Sequence, residues 1–155
     1  MKTIQYDTSN IRKKTIDDQD VYDFNNHLEY ITNIVNDISF CHRHYIESEI
    51  KCKLSSYKQQ DKIKRKFNEE LYISYDCLLN KIADSNLKCY YCKKDMLLVY
   101  KTKKNRRQWS LERFDNSKGH YSENTCICCL DCNLKRRDSN HEYYKKFKTI
   151  QIKKS

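Results

Sequence analysis

Two cysteine pairs, Cys89-Tyr90-Tyr91-Cys92 and Cys129-Leu130-Asp131-Cys132, bracket a dense polar stretch. It runs from Leu111 through Glu112, Arg113, Asp115 and Gly119 to His120 and Asn124. Zn2+ takes thiolate ligands in a tetrahedron, and C-x-x-C lets both sulfurs of one turn point at one ion. Two such pairs predict a four-thiolate zinc site that clamps distant segments together. What it clamps is acidic and basic at once, which suggests a metal-dependent site acting on a polyanion. Cys126-x-x-Cys129 also fits the spacing. Cys129 with Cys132 is the preferred pair because that knuckle leads directly into a basic helix, and it leaves Cys126 and Cys128 as core or spare thiols. Four thiolates leave zinc no open position for substrate, so the zinc is expected to be a staple and not the catalyst.

The charge pattern points to the same partner class. The chain has 155 residues and a formal net charge of +10. Residues 1–87 carry 13 Lys/Arg against 14 Asp/Glu, a net of −1, and residues 88–155 carry 18 against 7, a net of +11. A field of that sign favours nucleic acid or an anionic membrane surface. No basic amphipathic helix with a large apolar face accompanies it, so nucleic acid is the expected partner. The start lacks an apolar leader and no apolar run is long enough to span a bilayer, so no membrane association is expected. Nine cysteines without a secretory signal predict reduced thiols and metal ligands in an intracellular protein, in cytoplasm or nucleus. Glycine occurs once, at Gly119, where a positive φ or a close backbone approach is expected.

Several elements must position these residues. Residues 1–15 are polar and irregular. Apolar residues at Val21, Phe24, Leu28, Ile31, Val35 and Ile38 keep a spacing of three and four, which predicts an amphipathic helix. A second helix passes through Tyr45, Ile46, Ile50 and Leu54, and a third through Phe67, Leu71, Tyr75, Leu78, Leu79 and Ile82. The run Lys62–Lys66 reads as a solvated face, and Cys41-His42-Arg43-His44 as part of a helix and not a metal site. Met96–Tyr100 reads as a strand, followed by a basic hairpin tip at Lys101–Arg107 and a second strand at Trp109–Phe114. Thr125–Cys128 reads as extended, and a helix is expected from Asp131 onward through Tyr143, Tyr144 and Phe147. These elements make an α+β protein, with a helical N-terminal region over residues 1–85 and a small zinc-stapled module over 86–155.

The segment Trp109-Ser-Leu-Glu112-Arg113-Phe-Asp115-Asn-Ser-Lys-Gly119-His120-Tyr-Ser-Glu-Asn124, with Cys129-x-x-Cys132-Asn133-x-Lys135, resembles the HNH nuclease family. It is similar to the subgroup with an (Asp/Glu)-Arg-x-Asp-Asn-x-x-Gly-aromatic/His-x-x-x-Asn pattern and a four-cysteine zinc site. The resemblance covers about residues 86–140. It implies a ββα-metal module, in which a hairpin, a loop and a helix hold one catalytic divalent ion, Mg2+ or Mn2+, while the zinc is structural. By position, Glu112 and Asn133 are then the ion's protein ligands, Asn124 pins the loop, and Gly119 supplies its turn.

The implied activity is a metal-dependent DNA endonuclease or nickase that hydrolyses phosphodiester bonds. The sequence departs from the family at Arg113, which stands where the best-known members carry a general-base His. Arginine stays protonated and cannot accept a proton. Three outcomes are open: His120 replaces it, Asp115 replaces it or holds a metal water, or the site is slow or inactive with Arg113 only gripping phosphate. The alternative is a catalytically inactive zinc-containing DNA-binding module derived from such a nuclease. In either case Lys101, Lys103, Lys104, Arg106, Arg107, Lys135, Arg136 and Arg137 are the expected backbone contacts to DNA.

Overall fold

The computed structural model describes residues 15–154, so most of the polar stretch over residues 1–15 lies outside the described residues. Among the described residues the chain is α+β, with five α-helices and one two-stranded sheet. Helices α1 (Phe24–Val35), α2 (Arg43–Ile63) and α3 (Tyr75–Asp84) come first. Strands β1 (Trp109–Arg113) and β2 (Thr125–Cys129) follow, then α4 (Leu130–Arg136) and α5 (His141–Lys154). Residues of both expected regions, from Val21 to Tyr144, share one buried cluster.

Helix α1 starts where the Asp23 carboxylate accepts from Asn25 N at 3.0 Å. It ends at Val35, short of the expected Ile38. Its buried face is His27, Ile31 and Ile34, while Leu28 and Val35 are exposed. The buried face is therefore turned from the expected apolar stripe and includes His27. Leu98 N donates to Nδ1 of His27 at 3.1 Å, so Nε2 carries the proton and donates to Val21 O at 3.1 Å. Burial pushes the His27 pKa down, which keeps the ring neutral as both bonds require.

Two expected elements are shorter than their periodicity suggests. The third helix does not begin near Phe67. Asn68 Oδ1 closes a local turn by accepting from Glu70 N and Leu71 N, and the helix begins only after Ser74, whose hydroxyl accepts from Cys77 N at 3.1 Å. The expected strand Met96–Tyr100 is an irregular segment with one isolated bridge, Leu97 to Gln108. Met96 and Leu97 make scattered backbone bonds, to Leu87, Arg107 and Trp109, while at Leu98 side chains take over: His27 accepts from its N–H, and Trp109 Nε1 donates to its carbonyl at 3.2 Å. The hairpin is thus β1 with β2, paired antiparallel with Glu112 opposite Cys126 and Ser110 opposite Cys128. Lys101–Arg107 is a connector leading into β1 and not the hairpin tip.

Both outer edges of the hairpin are closed. On β1, Leu111 N donates to the Tyr57 hydroxyl at 3.1 Å, and Lys53 donates to Trp109 O, both from α2. On β2, Tyr90 N donates to Ile127 O at 3.1 Å, and Lys81 of α3 donates to Thr125 O at 2.9 Å. A two-stranded ribbon has little stability alone, and covering its edges fixes its register and prevents pairing with other chains.

The expected continuous C-terminal helix is broken at Arg137, which has φ 49°, and restarts after Asn140, whose side chain accepts from Glu142 N and Tyr143 N. α5 docks on the first knuckle through Tyr144 against Tyr91, ring centroids 5.1 Å apart. Its other face exposes Tyr143, Phe147 and Ile150 beside lysines. No helix among the described residues is long and apolar enough to cross a membrane.

Gly119 has no positive φ; its need is close approach. A Cβ there would lie 2.5 Å from Lys66 O and 2.7 Å from Asp61 Oδ2. Gly119→Ala should therefore lower stability by about 1–3 kcal/mol, read as a lower Tm with zinc content unchanged.

Candidate metal centre and polar site

The sulfurs of Cys89, Cys92, Cys129 and Cys132 all lie within 4.8 Å of one another, and all four residues are buried. Cys92 Sγ and Cys129 Sγ are 3.9 Å apart, close to the ~3.8 Å edge of a tetrahedron with Zn–S bonds of about 2.3 Å. These four cysteines can hold a metal such as zinc. Backbone N–H groups turn toward the sulfurs: Cys92 N donates to Cys89 Sγ at 3.5 Å, Cys129 N to Cys89 Sγ at 3.3 Å, and Cys132 N to Cys129 Sγ at 3.4 Å. The last bond also makes Cys129 the N-cap of α4. Hydrogen bonds from Cys129 and Cys132 pull the Cys89 thiol down to about 6, whereas its hydrogen bonds to the other cysteines push Cys132 up. Four thiolates this close repel one another, and a dication lets all four be ionised together. The alternative ligand Cys126 sits elsewhere, opposite Glu112 in the ladder, and burial pushes its thiol up to about 12. Among the described residues no other group of three or more His, Cys, Asp or Glu side chains gathers, and Cys41-His42-Arg43-His44 forms no such cluster.

One face of the hairpin carries Ser110, Glu112, Cys126 and Cys128, because side chains alternate along a strand. Helix α4 lies over it. Asn133 Nδ2 donates to Ser110 Oγ at 3.2 Å, and Arg136 Nη1 stands 3.2 Å from Glu112 Oε1. Asn133 and Arg136 are neighbours on the helix face, as residues three apart must be. Glu112 is 6% exposed and Arg136 3%. The same Oε1 accepts from Arg113 N at 2.9 Å, while Oε2 is buried without a partner. Burial pushes the Glu112 carboxyl up to about 7, against the opposing pull of Arg136 and the Arg113 N–H. Desolvation therefore outweighs the ion pair at this carboxylate.

Arg136 is an expected DNA contact that the structure corrects. Its guanidinium is buried and bridges from Glu112 to three backbone carbonyls: Arg113 O, Phe114 O at 2.6 Å and Ser139 O at 3.0 Å. The other basic residues are accessible. Lys103, Lys104, Arg106, Lys135 and Arg137 are exposed, and Arg107 is half-buried, donating to Asp95 O. Arg106 and Lys135 both pair with Asp131 at 2.8 Å, so the connector before β1 and the end of α4 form one basic surface. The Asp131–Lys135 spacing of four was legible in the sequence, whereas Arg106 reaching Asp131 was not.

The loop between the strands is held from both sides. Asn124 Nδ2 donates to Asp115 O and Gly119 O, both at 3.0 Å, and its Oδ1 accepts from Asp115 N at 3.0 Å. Asp115 is exposed, and its Oδ1 accepts from Ser117 N and Ser117 Oγ, bonds that lower its pKa. Arg113 Nη1 donates to Lys118 O at 3.2 Å. His120 is 3% exposed. Its Nδ1 donates to Asp61 Oδ1 at 2.7 Å and its backbone N to Asp61 Oδ2 at 2.6 Å, with the ring against Tyr57. Burial pushes the His120 pKa down although Asp61 opposes it. The pair ties α2 to the loop, and no local sequence signal links Asp61 to His120.

In the isolated protein, Cys89→Ser should abolish stoichiometric zinc binding, whereas Cys126→Ser should retain it. Metal analysis after gel filtration checks both, and zinc retained by Cys89→Ser would contradict the ligand set. No family model, no curated protein and no solved structure matches the chain.

Proposed function

We propose that this protein is a metal-dependent DNA endonuclease or nickase of HNH type, with a ββα-metal module built on the hairpin and α4. The observation that carries the reading is the bare, buried Oε2 of Glu112, on the face that α4 covers with Asn133. A buried carboxylate oxygen without a partner is costly, and a bound cation is one ligand that would satisfy it. Glu112 and Asn133 would hold the catalytic ion, Mg2+ or Mn2+, since hard ions take oxygen ligands and keep several waters. When bound, such an ion stabilises the charge that builds on a phosphate and its leaving oxygen. The protein's own residues do the rest. Asn124 keeps the loop in shape, Arg113 adds a permanent positive charge against that loop at Lys118 O, and the joined basic surface of Arg106 and Lys135 grips the DNA backbone.

A second reading, a zinc-stapled DNA-binding module that does not cut, is favoured by two observations. Arg136 already stands against Glu112, and His120, the histidine expected to take a proton, is bound by Asp61. Incubation of supercoiled plasmid with the protein and Mg2+ or Mn2+ separates the two. The nuclease reading expects nicked circles, lost by at least ~100-fold in Glu112→Ala and Asn133→Ala. No nicking by the wild type, or equal nicking by all three, leaves the binding reading.

Ion use also has a pH signature. Burial pushes the Glu112 carboxyl up to about 7, so a proton would compete with the ion as pH falls through that value. Nicking at limiting Mn2+ should rise as pH is raised through 7 and be restored at lower pH by more Mn2+; a flat profile would count against Glu112 as ligand. For DNA affinity, Lys135→Ala should weaken binding to all sequences alike and reduce the slope of log K against log salt by about 0.9. Fluorescence anisotropy with a labelled duplex at several salt concentrations checks this.

A further inference from the structure

We infer that Arg136 is a positioning residue that fixes the rotamer of Glu112 so that one oxygen is held and the other is presented. The inference rests on the proposed function, because it concerns the ion that Glu112 would hold. The geometry is asymmetric. Oε1 takes both Arg136 Nη1 and Arg113 N, while Oε2 is buried and takes nothing. Arg136 itself cannot drift. Its Nε is bound by Ser139 O and its two terminal nitrogens by Phe114 O and Arg113 O. Those carbonyls belong to the exit from β1 and to the turn after α4, so the guanidinium locks the end of the strand to the end of the helix. A planar fork can meet a carboxylate and several carbonyls in one fixed arrangement, which a lysine ammonium cannot.

A cation beside an ion ligand would on charge alone repel the ion. A positioning role has the opposite sign: the geometry gained by holding Oε1 outweighs that repulsion. Partners that orient a metal ligand commonly change affinity by about 10–100-fold. The sign of the effect therefore separates a positioner from a blocking cation, and a role in folding alone predicts neither.

The test is Mn2+ titration of the zinc-loaded full-length protein, with free Mn2+ read by electron paramagnetic resonance and zinc content and Tm recorded alongside. The wild type should bind Mn2+ in a manner lost in Glu112→Gln. Arg136→Gln and Arg136→Lys should bind it at least ~10-fold more weakly while keeping zinc. Equal or tighter binding by Arg136→Gln overturns the inference and makes Arg136 a blocking cation. If the Arg136 variants lose zinc, Glu112→Asp reads the same geometry. The shorter side chain cannot meet Arg136 and still present its second oxygen, so binding should again fall at least ~10-fold, and unchanged or tighter binding overturns the inference. Wild-type Mn2+ binding that Glu112→Gln leaves unchanged would instead refute the Glu112 ion site, and the positioning role with it.

Discussion

The four-sulfur cluster is the constraint on which the rest depends. Cys89 and Cys92 belong to a segment with little regular backbone pairing of its own, and Cys129 and Cys132 stand where β2 becomes α4. The cluster joins them. Because Cys129 is both ligand and N-cap, whatever holds the sulfurs also sets the direction in which α4 leaves the strand. That direction decides which side chains lie over the hairpin, and they are Asn133 over Ser110 and Arg136 against Glu112. The knuckle also closes the outer edge of β2 through Tyr90 N and Ile127 O. The staple therefore supports both the register of the sheet and the polar face built on it.

That face is a conflict of charge and burial held in place by its surroundings. Glu112 and Arg136 are removed from water together, and neutralisation of one by the other does not offset the desolvation at the carboxylate. Pairing is also incomplete, since Oε2 has no partner. Such an arrangement contributes little to stability by itself. The backbone carbonyls that surround the guanidinium and the cluster at the other end of α4 keep it in place. A site that costs stability and is nevertheless over-determined by its neighbours is the pattern expected where chemistry or binding is done.

Much of this was legible in the sequence and some was not, for reasons visible in particular residues. The cysteine spacing identified the cluster, the mixed apolar and polar pattern of Trp109–Phe114 marked β1, and the short apolar run Thr125–Cys128 marked β2. The periodicity from Phe67 to Ile82 overstated a helix because Asn68 and Ser74 cap locally, a signal that an apolar pattern does not weigh. Met96–Tyr100 has strand composition, but a buried histidine far away in sequence takes the Leu98 N–H, and no local pattern reports that. The basic run Lys135, Arg136, Arg137 looked uniform. Its middle residue points inward, because a helix turns about a hundred degrees per residue and places Arg136 with Cys132 and Asn133 on the packed face. His120 was singled out as a titratable residue in the motif, and its partner Asp61 lies on a helix that the motif does not include.

The proposal sets two chemically different ion sites beside α4: the sulfur cage of the four cysteines, and a proposed oxygen site at Glu112 and Asn133. Anomalous diffraction from crystals of the zinc-loaded protein soaked in Mn2+ tests it most directly. The account predicts a zinc peak among Cys89, Cys92, Cys129 and Cys132 and a separate manganese peak in contact with Glu112 Oε2. Manganese absent from Glu112, or zinc absent from the four sulfurs, would contradict it.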